Sequence, residues 1–132
     1  MNRPAPYVTF FVLLHLLITV AHGAAHRELQ IGLTQSGTAF VGLVIVVVPL
    51  LAMWLVWSTR RRFGLGLLAA SMFASLLFGL YHHFLVEGAD HVHAQSPDLW
   101  GLTFVVTAYA LLVTEAFGTW MGIHFLRTQK SG

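Results

Sequence analysis

The sequence predicts an all-α integral membrane protein, a bundle of four transmembrane helices with both termini cytoplasmic. Three observations lead there. Only 9% of the 132 residues are charged while 57% are hydrophobic, whereas soluble domains carry about 25% charged residues. Four apolar runs are each long enough to cross a hydrocarbon core that needs about 20 helical residues. The cations, finally, are gathered at one set of run ends.

The runs cover about 7–26, 38–57, 63–85 and 99–126, and together they form a single membrane domain over 1–132. Lipid offers no hydrogen-bond partners, so each run is a helix. The first stretch also has the basic start, apolar middle and small residues near Gly23 to Ala25 of a signal peptide. Its length and the histidine at its centre, His15, favour a retained span over cleavage. In the second run Pro49 predicts a kink. The third and fourth carry small residues at helical spacing, Gly66, Ala70 and Ala74, then Thr114, Gly118 and Gly122. Such faces let helix backbones approach closely in membranes. Before the fourth run, Ser96 with Pro97 reads as a cap followed by a first-turn proline.

Orientation follows from Arg and Lys in the short connections. Arg3, Arg60, Arg61, Arg62, Arg127 and Lys130 fall on one side and Arg27 alone on the other. The cationic side is expected in the cytoplasm of a cell (inner) membrane. Trp54, Trp57 and Trp100 fall near the predicted boundaries, where aromatic belts sit. No basic face is interleaved with exposed aromatics, so nucleic acid is not an expected partner.

On this topology His22, His26, His82, His83, His91 and His93, six of the eight histidines, gather at the outer face, periplasmic or extracellular. His22 and His26 each lie within about 20° of His15 on a helical wheel, so one stripe carries all three. A four-residue spacing lets His22 and His26 share a metal ion. His83 and Glu87 have the same spacing if the third helix runs one turn further. An extended His91-Val92-His93 points both imidazoles to one side, with Asp90 as a neighbouring oxygen ligand.

Imidazole and carboxylate without cysteine suit copper, zinc or iron. Haem b, held between His22 and His82 or His83 on facing helices, is the alternative cofactor. Within the membrane, Glu115 must face the bundle interior. Counted from the inner ends of their helices, Glu115 and His15 both sit roughly 14 Å deep, and the two are expected to pair.

The leading functional expectation is metal or haem binding at the outer face, for electron transfer or metal handling. One alternative is a non-catalytic accessory subunit packed against membrane partners in a respiratory-type complex. Another is a proton-coupled transporter built as a homo-oligomer around His15 and Glu115. No residue identifies a substrate or an enzymatic reaction.

Overall fold

The computed structural model describes residues 4–129. Arg3 and Lys130, counted above among the cytoplasmic cations, lie outside them. The described residues contain helices and no strand. Four helices are long and apolar enough to cross a membrane: α1 (Ala5–Glu28), α2 (Gln35–Trp57), α3 (Arg61–Leu85) and α4 (Leu99–Thr128). A short 3₁₀ turn, Val92–Ala94, lies in the connection between α3 and α4.

Neighbouring helices run antiparallel. Tyr7 near the start of α1 stacks on Phe125 near the end of α4. Trp57 at the end of α2 donates from Nε1 to Thr9 Oγ1 on α1 at 2.9 Å. The start of α1, the end of α4 and the turn carrying Arg60, Arg61 and Arg62 therefore share one end of the bundle. The core at that end is apolar, with Val8, Val12, Val56, Leu65, Leu68 and Met72 fully buried.

Two stretches are π-helical, Val41–Val47 in α2 and Tyr81–Leu85 at the end of α3. Pro49 has no N–H to offer the preceding turn, and the wide turn in α2 lies directly before it. In α3 the wide turn ends the helix at Leu85, with Val86 already extended. α3 therefore stops short of the extra turn that would have brought Glu87 beneath His83, and Glu87 is exposed.

Close helix packing rests on Gly118 and Gly122 of α4. A methyl group on Gly122 would lie 2.9 Å from Ala69 Cβ and from the Leu65 carbonyl oxygen. On α3 the opposing face is Leu65, Ala69 and Met72 rather than the expected Gly66, Ala70 and Ala74. Ala70 is exposed, and Gly66 has nothing nearer than Leu126 Cδ1 at 4.0 Å.

The cap of α4 is Asp98 and not Ser96. Asp98 Oδ1 accepts from the Gly101 N–H at 2.8 Å, and the Ser96 hydroxyl donates to Asp98 Oδ2 at 2.7 Å. The Gly101 N–H, helped by the Ser96 hydroxyl, holds this carboxyl below the usual carboxylate range. A depressed folded-state value makes the cap's contribution complete above the ordinary carboxylate range, and acid removes it as pH falls through the depressed value. Asp98→Ala should lower the thermal unfolding midpoint at neutral pH. The gap from wild type should close in acid, a trend that scanning calorimetry at several pH values reads directly.

Candidate metal centre

The end of α1 is built by a backbone motif that also serves the site. Gln30 takes a left-handed conformation (φ 56°), the Ile31 N–H donates to the His26 carbonyl at 2.9 Å and the Gln30 N–H to the Arg27 carbonyl at 3.2 Å. This paired closure is the Schellman arrangement. It folds the chain back so that the Ile31 carbonyl oxygen stands 3.2 Å from His26 Nδ1.

Three histidines converge. One ligand atom from each of His22, His26 and His83 lies within 4.8 Å of the other two. His22 and His83 are buried and His26 is half-buried. Phe104, wholly buried on α4, touches all three rings, with centroid separations of 4.7, 5.0 and 5.3 Å from His22, His26 and His83.

Hydrogen-bond partners assign the tautomers. His22 Nδ1 lies 2.8 Å from Thr107 Oγ1. That hydroxyl already donates to the Thr103 carbonyl at 2.6 Å, so its oxygen accepts the His22 Nδ1 proton. His26 Nδ1 donates to the Ile31 carbonyl, and His83 Nδ1 to the Asp90 carbonyl at 3.0 Å. Protonation of Nδ1 on all three rings would leave a lone pair on each Nε2. His22 Nε2 and His83 Nε2 face each other at 3.2 Å. Asp90 Oδ1, 3.3 Å from His26 Nε2, is buried without an aligned hydrogen bond. Lone pairs pointed at one another repel unless a cation lies between them.

The remaining sequence-predicted ligands stand elsewhere. His82 Nδ1 is 4.0 Å from Asp90 Oδ2, and its ring packs on Phe78 and Tyr81. Val92–Ala94 is a 3₁₀ turn rather than an extended strand, and this changes His91. His91 Nδ1 accepts the His93 N–H at 3.1 Å, while its Nε2 donates to the Phe84 carbonyl at 3.2 Å. Both nitrogens thus have hydrogen-bond partners, and His91 lies outside the cluster. His93 and Glu87 are exposed, and neither belongs to the cluster.

Deeper in the bundle, His15 Nε2 and Glu115 Oε1 are 3.5 Å apart and both buried. The Thr114 and Thr119 hydroxyls donate to carbonyls of their own helix, so neither bridges the pair. His15 Nδ1 is buried without a partner.

Thr107 and Phe104 were absent from the sequence-based site. The register carries a trace of them. Seven residues on from His15 along α1 is His22, and eight back from Glu115 along α4 is Thr107. Thr107→Val keeps the side-chain shape and removes the hydroxyl 2.8 Å from His22 Nδ1. Loss of such an outer partner costs about 10–100-fold in metal affinity. A metal titration of this variant should show that drop with the fold intact by circular dichroism.

No family model matches the chain, and no curated protein or solved structure matches it.

Proposed function

We propose that the protein is an integral membrane metal protein that holds one divalent transition-metal ion on Nε2 of His22, His26 and His83. The observation that carries this reading is the convergence of three imidazoles, one ligand atom of each within 4.8 Å of the others, while each ring's Nδ1 faces an oxygen at 2.8–3.2 Å. Two nitrogens bound to one tetrahedral ion at about 2.0–2.1 Å are roughly 3.3 Å apart. The 3.2 Å between His22 Nε2 and His83 Nε2 fits that edge. His26, at the more open side of the cluster, completes the set by a small side-chain movement. Asp90, whose Oδ1 lies 3.1 Å from His83 Nδ1 and 3.3 Å from His26 Nε2, brings a compensating negative charge.

Haem b fits less well. Axial histidines need a porphyrin plane between their nitrogens. His22 and His83 meet edge to face at 75°, with ring centroids 4.8 Å apart. Three imidazoles leave a fourth position, as in zinc sites that exchange water or substrate. That position suits zinc, copper(II) or iron(II). The methionines Met53, Met72 and Met121 lie within the spans, which disfavours a copper(I) carrier.

The cluster sits at the end of the bundle away from Arg60, Arg61 and Arg62. The positive-inside rule makes that end the outer one. Metal handling or electron transfer at the outer face of a cell membrane is therefore the function we assign. The His15–Glu115 pair serves as a polar clamp that sets the register of α1 against α4.

The test is to strip the purified protein with chelator and titrate it with zinc, copper(II) and iron(II) under elemental analysis. One ion per chain is expected. Release in acid should follow, because ligand imidazoles must be unprotonated to bind. No retained ion with any of the three metals would overturn the reading.

A further inference from the structure

A cavity of about 270 Å³ opens beside the three histidines and runs between all four helices. Both π-helical stretches contribute to its wall, through Val41 and Ile45 on one side and His83 and Phe84 on the other. A wide turn of this kind is often found at functional sites. Most of the wall is apolar. Its few polar side chains are largely spoken for: Thr19 donates to the His15 carbonyl and Ser75 to the Ser71 carbonyl. What remains open is the histidine cluster and Glu115 Oε2.

Gly79 lies beside both. A methyl group placed on Gly79 would touch Glu115 Oε2 at 3.7 Å and His83 Cδ2 at 3.9 Å. The position beside Gly79 is thus within van der Waals reach of both the carboxylate and the metal-binding ring.

We propose that this cavity binds a lipid-soluble alcohol or phenol. Its hydroxyl sits beside Gly79, with the oxygen toward the open position of the metal and the proton directed at Glu115 Oε2. Its apolar body lies against Ile45, Phe78, Leu111 and Leu112. The inference rests on the metal centre proposed above and names the ligand class of that same site. Size supports it. A dry cavity of about 150 Å³ takes one benzene, so this one holds a body of up to two rings. Charged or strongly hydrated molecules are excluded by the cost of burying them in an apolar wall. A hydroxyl, by contrast, finds both an acceptor for its proton and a Lewis acid for its oxygen.

The probe is 2-naphthol, with naphthalene as the control that lacks the hydroxyl. The protein is reconstituted in lipid nanodiscs and loaded with cobalt(II), whose visible bands report coordination. Saturable binding of one 2-naphthol per chain should change those bands, while naphthalene leaves them unaltered. Gly79→Ala adds its methyl at ordinary contact distance and so keeps the fold. It should weaken 2-naphthol by about tenfold or more, the scale on which one misplaced methyl group acts in a pocket, with the cobalt content unchanged. Glu115→Gln serves as a second variant and should weaken 2-naphthol more than naphthalene.

Cobalt retained with no spectral response to 2-naphthol, or a response that Gly79→Ala leaves intact, overturns this inference and leaves the metal centre standing. The same holds if 2-naphthol and naphthalene bind equally, which would show an apolar chamber that takes acyl chains from the bilayer. Failure to retain cobalt removes the metal centre and the inference together.

Discussion

His83→Ala should sharply weaken the protein's hold on its metal ion. The variant loses one of three nitrogens, and even an outer partner of a ligating histidine is worth about 10–100-fold in affinity. A loss beyond about 100-fold is therefore the expected scale. His22→Ala should behave alike, because His22 Nε2 is the atom 3.2 Å from His83 Nε2. His26→Ala should lose less, since His26 is the only half-buried member of the three. The informative contrast is with His91→Ala and His93→Ala. Both residues read as ligands in the sequence, yet both His91 nitrogens have hydrogen-bond partners and His93 faces outward. His93→Ala should keep a full equivalent of metal. His91→Ala should keep it too while loosening the loop, which hydrogen exchange at 91–95 would show. Isothermal titration with zinc across the five variants separates the two groups.

Gly122→Leu should be strongly damaging to the bundle. A first side-chain atom at position 122 already lies 2.9 Å from the Leu65 carbonyl oxygen and 3.0 Å from the Ala69 nitrogen. These are backbone atoms of α3 and cannot turn aside, so α3 and α4 must separate. Overpacking a tight core costs about 1–3 kcal/mol and occasionally more. Here the loss also reaches the site, because α3 carries His83 and α4 carries Thr107 and Phe104. Gly66→Leu is the matched control. Gly66 meets only the flexible end of Leu126 at 4.0 Å, and that variant should unfold near the wild-type temperature. Thermal unfolding in a fixed detergent, followed by circular dichroism, gives both values.

Four spans were legible because hydrophobic length is a strong signal in a chain with so few charges. Their ends were less legible. Ser96 looks like a cap, but Asp98 two residues on offers a carboxylate to the Gly101 N–H, and the serine braces that carboxylate instead. The third span ends at Leu85 as its apolar run predicts, and the π-helical ending, which nothing in Tyr81–Leu85 announces, rules out the further turn. That ending removes Glu87 from the cluster. His22 and His26 could be paired from their four-residue spacing on one helix. His83 joins them through tertiary packing, which places it rather than its neighbour His82 inside the bundle. The supporting acceptors were beyond reach of spacing alone. The Ile31 and Asp90 carbonyls have no side-chain signature, and each arrives through a local fold: the left-handed Gln30 in one case, the loop after Val86 in the other.

X-ray absorption at the zinc edge of the zinc-loaded protein bears most directly on the central claim. Three imidazole nitrogens at about 2.0–2.1 Å with one further light-atom ligand are the expected first shell, falling to two imidazoles in His83→Ala at saturating zinc. A shell with one imidazole or none, unchanged in that variant, would contradict the account. The facing nitrogens of His22 and His83 would then have to share a proton rather than a metal.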